Sequence, residues 1–112
     1  MNSRMAALVA ITIGGIAAAH ADTPDGHATF TKWCAPCHAP GITHPGTHAL
    51  ESKYPADKFP ARQSGVITEW TDLTPDYVKA IVRTGISVMP FFRKTEISDA
   101  ELDALARYIT AH

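Results

Sequence analysis

Residues Trp33-Cys34-Ala35-Pro36-Cys37-His38 contain two cysteines three positions apart, with a histidine directly after the second. A C-x-x-C-H run of this kind is the signature of covalent haem attachment. Two cysteines at one helix end can add to the two vinyl groups of a single porphyrin, and the adjacent histidine then directs its ring to the iron. The run predicts one covalently attached haem c, held by Cys34 and Cys37, with His38 as an iron ligand.

Three other interpretations of the cysteines are weaker. A thioredoxin-like redox pair would stand next to a βαβ pattern, which the sequence lacks. A disulfide across so short a loop would stabilise the fold little. A zinc site could combine both cysteines with His44 and His48, but the gap from Cys37 to His44 is shorter than in a usual zinc finger.

The second iron ligand is predicted to be Met89. It is the remaining methionine once Met1 and Met5 are assigned to a cleaved leader. Pro90 removes a backbone donor and restricts Met89 to an extended conformation, so its thioether can face an iron from a loop. Four histidines stay open as alternatives: His27, His44, His48 and His112. Ligation by histidine and methionine raises the haem potential and leaves no open position on the iron, which favours electron transfer over catalysis.

Further residues are candidates for the surroundings of the haem. Trp70 and Arg62 are expected to hydrogen-bond the haem propionates, although surface roles fit them equally well. A carbonyl at or beside Pro45 is expected to orient the His38 ring through its other nitrogen. The apolar wall is expected to comprise Trp33, Ile42, Leu50, Val78, Ile81, Val82, Ile86, Val88 and Phe91.

The helical signals lie on both sides of a long loop. Thr23 followed by Pro24 predicts a helix that begins there and ends at Trp33 or Cys34. The segment after His38 and before Leu73 is rich in proline and glycine and predicts a loop, with one helical turn near residues 49–53. A loop of this length is typical of a chain that wraps a bulky cofactor.

Two more helices follow the loop. Thr74 and Pro75 open a helix that Gly85 ends, and Ser98 with Glu101 forms a capping box for a helix that continues to the C-terminus. No strand-like alternation is present anywhere, so the fold class is all-α.

Composition limits the remaining possibilities. The chain has 112 residues and a formal charge of −1, which suits one small domain and gives no basic excess to hold nucleic acid. Residues 1–21 are interpreted as a signal peptide: Arg4 is followed by an apolar run and by Ala19-His20-Ala21, a small-x-small cleavage site. The run is shorter than the roughly 20 residues that span a bilayer, so residues 22–112 form the domain, without stable membrane insertion. Because haem is attached to c-type proteins on the exported side of a membrane, the expected location is the periplasm.

The sequence resembles the class I cytochromes c. The resemblance rests on Gly26-x-x-x-Phe30-x-x-x-Cys34-x-x-Cys37-His38, on the helix before Gly85, on Met89-Pro90 and on the closing helix with Tyr108. It implies that the N- and C-terminal helices cross, with Gly26 and Phe30 against Tyr108.

A narrower resemblance is to the small cytochrome subunits of flavocytochromes of the 4-cresol dehydrogenase and eugenol hydroxylase type. It is carried by three stretches: residues 33–40, residues 44–47 and residues 88–99, the last reading VMPFFRKTEISD. The resemblance implies a flavoprotein partner that oxidises a 4-alkylphenol. This chain would accept the electrons one at a time and pass them to a soluble redox carrier, without being catalytic by itself.

Two other functions remain open from the sequence. One is a freestanding periplasmic cytochrome that shuttles electrons between respiratory complexes, and the other is a haem enzyme or sensor. Phe91-Phe92-Arg93-Lys94, next to Met89, is a candidate docking rim, in which apolar side chains and flanking cations would meet a partner.

Overall fold

The computed structural model describes residues 23–112, so the leader predicted for residues 1–21 lies outside the described residues. Five α-helices and one 3₁₀ turn follow each other: α1 Gly26–Trp33, α2 Ala35–His38, α3 Pro45–Lys53, the 3₁₀ turn Ile67–Glu69, α4 Pro75–Thr84 and α5 Asp99–Ile109. Within this part of the chain there is no strand, only one isolated bridge between Ile86 and Met89. The all-α prediction is confirmed. None of the helices in residues 23–112 has the length and apolar character needed to cross a membrane.

The first and last helices cross at a glycine. A methyl group on Gly26 would collide with the carbonyl of Ala104 and lie 2.8 Å from Cβ of Tyr108, both on α5. Next to this contact, the rings of Phe30 and Tyr108 meet with centroids 5.5 Å apart at 53°. The absence of a side chain at Gly26 lets the two backbones approach this closely. The crossing implied by the resemblance is confirmed.

The N-terminus of α1 differs from the prediction. Asp25, rather than Thr23, is the N-cap: its carboxylate accepts hydrogen bonds from the backbone N–H groups of His27 at 2.9 Å and Ala28 at 3.3 Å. The extended backbone of Asp25 (φ −97°, ψ 112°) places it outside the helix, so Pro24 does not occupy the first helical position. Both residue types can cap a helix, and here the aspartate is the one whose side chain reaches the free N–H groups.

The next two predicted helices have the caps that the sequence indicated. Thr74 Oγ1 accepts from the N–H of Tyr77, and α4 ends at Gly85, whose φ is +68°. Ser98 and Glu101 form the reciprocal capping box of α5. The core lies between these helices and α1, and Ile97 and Leu105 are its largest fully buried side chains.

The long segment after His38 contains more helix than predicted. Instead of one turn near residues 49–53, α3 covers Pro45–Lys53, with Pro45 at its first turn. The backbone N–H groups of a first turn have no partners within the helix, so proline is well suited there. Thr47 is buried in this helix and donates its hydroxyl to the carbonyl of Ala39 at 2.8 Å. This bond ties α3 to the residue that follows α2.

Candidate haem site

The two cysteines lie at the junction of α1 and α2 and are both free thiols. Cys34 is buried in the core, whereas Cys37 is exposed. Burial, together with the neighbouring Cys37, raises the pKa of the Cys34 thiol to about 12. Reactive cysteines of the thioredoxin type have a lowered pKa, so Cys34 lacks the character of a redox-exchange thiolate.

The His38 ring is the polar group of the site that the protein itself leaves without a partner. Its Nδ1 is buried and has no hydrogen bond to any of the residues 23–112. The ring packs against Gly46, where a methyl group would lie 2.9 Å from Nδ1 and 2.8 Å from Cε1. The expected hydrogen bond from Nδ1 to a carbonyl at or beside Pro45 is therefore not formed. Burial lowers the pKa of His38 and favours the neutral imidazole, which is the form that binds metals.

Met89 is held by a tight turn. Ile86 and Met89 exchange two backbone hydrogen bonds of 3.2 and 2.9 Å, and Ser87 between them adopts a left-handed φ of +54°. Met89 is half-buried and packs against the core, whereas Val88 beside it is 95% exposed. The turn thus holds the thioether on the protein side and presents an apolar side chain to solvent.

One cavity of about 480 Å³ brings the predicted site residues together. Its lining includes all six: Cys34, Cys37, His38, Arg62, Trp70 and Met89. Seven of the nine residues expected in the apolar wall also line it: Trp33, Leu50, Val78, Ile81, Val82, Ile86 and Val88. The other two, Ile42 and Phe91, do not line it and are largely exposed. The volume lies within the range of about 300–1,000 Å³ found for cofactor sites.

Arg62 and Trp70 meet at one part of the cavity wall. The guanidinium carbon of Arg62 is 4.3 Å from the ring centroids of both Trp70 and Tyr54. Trp70 is buried, and its indole N–H donates to the carbonyl of Ser64 at 2.6 Å. Because an indole has a single donor, the propionate hydrogen bond expected from Trp70 is not available, and this residue offers the cavity its ring. Arg62 keeps terminal N–H groups for which no acceptor is found in residues 23–112.

Several residues that the sequence did not indicate also line this cavity. Lys53, Tyr54 and Tyr77 line it, and so do Ile67 and Leu73. Lys53 lies with its ammonium 5.4 Å from the ring centroid of Tyr54, on the same aromatic side chain that Arg62 contacts. Lys53 is the last residue of α3 and Tyr54 is its C-cap, so both lie at the end of the helical turn predicted near residues 49–53.

These residues fit a haem. The cavity combines two thiols, one half-buried imidazole and one thioether with a mostly apolar wall, and two cations contact an aromatic side chain of its lining. The zinc alternative is not supported, since nowhere in residues 23–112 do three or more metal-binding His, Cys, Asp or Glu side chains converge.

The candidate docking rim differs from its expected form. Phe92 is half-buried, with its ring 5.8 Å from that of Trp33, so only Phe91 is exposed. Arg93 pairs with Glu96 at 2.9 Å, and Lys94 pairs with Asp99 at 2.8 Å. Both cations are therefore exposed but paired, and Lys94 shares the carboxylate of Asp99 with Arg83.

Comparison with known proteins places the chain in a family. A family model described as cytochrome C oxidase, cbb3-type, subunit III matches residues 21–109. The match covers all five helices and the whole cavity wall. No curated protein matches the chain.

Proposed function

This chain belongs to the cytochrome C oxidase, cbb3-type, subunit III family, and from that membership we propose how its residues serve electron transfer. It is a class I cytochrome c and carries one covalently attached haem c. When bound, the haem iron accepts one electron and gives it up again. The rest of the chemistry depends on how the side chains of the cavity hold and tune the group.

Four residues hold the haem in this proposal. Cys34 and Cys37 form the two thioether bonds, and His38 and Met89 bind the iron. The observation that carries the assignment is that one cavity gathers all four side chains, although Met89 is far from the other three in the sequence. The neutral imidazole favoured by burial and the thioether turned toward the core are the ligand forms that this pair requires.

We assign the haem carboxylates to the part of the wall near Tyr54. Arg62 and Lys53 both contact this ring and line the cavity, so each offers a cation to a carboxylate. A guanidinium held between aromatic rings is well suited to this role, because its planar fork matches a carboxylate. Trp70 contributes apolar surface there.

The finer proposal is that the chain is the cytochrome subunit of a flavoprotein that oxidises 4-alkylphenols. It would accept electrons singly from the flavin and pass them to a soluble redox protein, and it would not be catalytic alone. The resemblance of residues 88–99 supports this role. In the same segment, Val88 and Phe91 give an apolar surface beside Met89 that a partner can cover.

Copurification tests this proposal. The protein is purified from its native source in mild salt, and haem and flavin absorbance are followed together through size exclusion. Co-elution, with haem reduction on addition of a 4-alkylphenol, is the expected result. A haem peak alone, at the size of a small monomer and unreactive to the phenol, would refute the subunit role.

A second function is favoured by the family itself. Its description names a subunit of a terminal oxidase, which supports a role in respiration. In this alternative the chain is a freestanding cytochrome that shuttles electrons between respiratory complexes. Rapid oxidation of the reduced protein by membranes that contain a terminal oxidase, without any bound flavoprotein, would favour the alternative.

For the location, we propose the periplasm, with residues 1–21 removed on export. The apolar run after Arg4 and the Ala19-His20-Ala21 sequence support this processing. Mass spectrometry of the protein recovered from a periplasmic extract should give the mass of residues 22–112 plus one haem. A protein that keeps Met1 would contradict it.

A further inference from the structure

Arg62 is fixed on three sides by its own chain. The guanidinium carbon lies 4.3 Å from the ring centroids of Tyr54 and Trp70, and these two rings are nearly perpendicular, at 81°. The cation therefore sits in the corner between two aromatic faces. On the third side, Nε donates to Oδ2 of Asp72 at 2.8 Å. The Arg62 side chain is only 18% exposed.

The backbone brings the arginine and the aspartate together. The N–H of Thr71 donates to the carbonyl of Ala61 at 2.9 Å, which places the residues that follow each of them side by side. The N–H of Arg62 also donates to the carbonyl of Phe59 at 2.8 Å. The fold of the loop, as well as their opposite charges, thus brings Arg62 and Asp72 together.

Asp72 accepts a hydrogen bond from Nε of Arg62, so the terminal nitrogens of the guanidinium stay available to another acceptor. A guanidinium has five N–H donors in a rigid plane, so fixing Nε fixes the direction of the other four. The rings of Tyr54 and Trp70 restrict the tilt of this plane, but ring faces alone allow the cation to slide along them. A hydrogen bond to a carboxylate is directional, and it supplies the missing constraint.

We propose that Asp72 is a positioning residue, which holds the guanidinium of Arg62 at the cavity and thereby sets how strongly this cation favours the reduced haem. The inference rests on the proposed function of Arg62 as a partner of the haem carboxylates. Reduction adds one negative charge to the site, so a nearby cation raises the reduction potential and a nearby anion lowers it. Asp72 acts on the potential in two opposite ways: its own charge lowers it, and its hold on Arg62 raises it.

Two substitutions separate these effects. Asp72→Asn removes the charge but keeps an oxygen that can accept from Nε, whereas Asp72→Ala removes both. The midpoint potential of each holoprotein is measured by spectroelectrochemical titration. We expect a higher potential for Asp72→Asn than for the parent protein, and a clearly lower potential for Asp72→Ala than for Asp72→Asn. Equal potentials in the two variants would overturn the positioning role, because charge alone would then explain both.

A second background tests whether the effect passes through Arg62. In the Arg62→Gln protein the cation is absent, and Asp72→Asn and Asp72→Ala should then have the same potential. A difference that persists there would also overturn the proposal. The matched control is Asp76→Asn against Asp76→Ala, since Asp76 is 95% exposed and pairs with Lys79 on α4. This pair should give equal potentials.

Arg62→Gln alone tests the proposed function on which the inference depends. It should lower the potential more than Arg107→Gln, which removes an exposed arginine of α5. Equal effects of the two arginine substitutions would remove Arg62 from the haem site, and the inference on Asp72 would be refuted with it. Covalent haem and reversible one-electron reduction would still stand, so the two failures can be told apart. Urea unfolding of each variant identifies any that merely fail to fold.

Discussion

Gly46 packs directly against the ring of His38. A methyl group at this position would lie 2.7 Å from the carbonyl oxygen of Cys37 and 2.8 Å from Cε1 of His38. Carbon atoms of a real side chain do not approach this closely, so the ring or the helix would have to move. Because α3 is anchored at Thr47 by its bond to Ala39, we expect relief of these two contacts to displace both the ring of His38 and the backbone of Cys37.

In Gly46→Ala, the higher helix propensity of alanine would stabilise the fold, whereas overpacking against His38 would destabilise it. Propensity alone would stabilise α3 by about 1 kcal/mol. Overpacking typically costs about 1–3 kcal/mol, so we expect the free energy of unfolding to fall and the haem spectrum to show perturbed axial ligation. Urea unfolding followed by haem absorbance measures both effects. Greater stability with an unchanged spectrum would show that the ring does not rest on Gly46.

The assignment of Met89 as the second iron ligand gives a separate prediction. If it is the second ligand, Met89→Ala opens a position on the haem, so the reduced variant should bind carbon monoxide while the parent protein does not. The midpoint potential should also fall, since thioether ligation raises it. Val88→Ala, one residue away on the same turn, is the control and should do neither. Failure of Met89→Ala to bind carbon monoxide would transfer the ligand role to a histidine.

At the level of elements, the capping box at α5 links helix stability to pH. Oε2 of Glu101 accepts from the N–H of Ser98 at 2.7 Å, and Oγ of Ser98 accepts from the N–H of Glu101 at 3.2 Å. The backbone hydrogen bond from Ser98, followed by the side-chain bond to the same residue, lowers the pKa of Glu101. A carboxyl whose folded pKa is lowered stabilises the fold above its unfolded pKa, near 4.3, and this stability is lost as the pH falls through the lower folded value.

Glu101→Gln should remove this part of the pH dependence. The parent protein is expected to lose stability between neutral pH and pH 3, and the variant should lose less over the same range. Urea midpoints at several pH values measure the difference. Glu51→Gln, the same change on the exposed face of α3, serves as the control and should follow the parent protein. Parallel curves for the parent and Glu101→Gln would contradict the prediction.

The elements show what sequence patterns can and cannot predict. α4 and α5 were predictable because their caps and apolar stripes are local signals, and C-x-x-C-H placed the centre of the site. Only the second half of α3 was predicted, because Pro45 and Gly46 resemble loop residues, whereas one begins the helix and the other packs on His38. The corner around Arg62 could not be predicted, since it depends on a fold that brings Tyr54, Trp70 and Asp72 together across a long loop. For the same reason, no local pattern indicated that the indole N–H of Trp70 donates to the carbonyl of Ser64.

At the scale of the whole molecule, the candidate haem cavity borders the hydrophobic core. A domain of this size buries only about 60–65% of its unfolded surface, less than a larger domain does, and here a cavity of about 480 Å³ adjoins the core residues Cys34, Val78 and Val82. Without the cofactor these side chains border empty space or water. A ligand that binds only the folded state adds its binding free energy to stability, so folding should depend on haem attachment.

The double substitution Cys34→Ala with Cys37→Ala tests this dependence. Without covalent attachment, we expect the purified chain to lose most of its helical circular dichroism and its cooperative thermal unfolding. Cys37→Ala alone keeps one attachment point, so its helical circular dichroism should lie between that of the double variant and that of the parent protein. A double variant that stays helical and unfolds cooperatively without haem would show that the protein core suffices.

The segment around Met89 carries no charged side chain, which predicts how two copies of the protein exchange electrons. Residues 86–92 contain no charged side chain, and the cations that follow are paired with Glu96 and Asp99. The full chain has a formal charge of −1, and residues 22–112, which lack Arg4, have a formal charge of only −2. Like-charge repulsion between copies that meet through Val88 and Phe91 is therefore small, and their encounter should be nearly insensitive to salt. Self-exchange, measured by NMR line broadening in mixtures of oxidised and reduced protein, should change only a few-fold with ionic strength.

Val88→Asp places one charge at the centre of this contact. Two such copies would bring like charges together, so self-exchange should slow at low salt and recover as salt screens the repulsion. Ala111→Asp adds the same charge after α5 and should leave the rate close to that of the parent protein. Reduction by ascorbate, which needs no protein contact, should be similar in all three. Equal slowing by both substitutions would mean that overall charge governs the encounter and that electrons pass through another face.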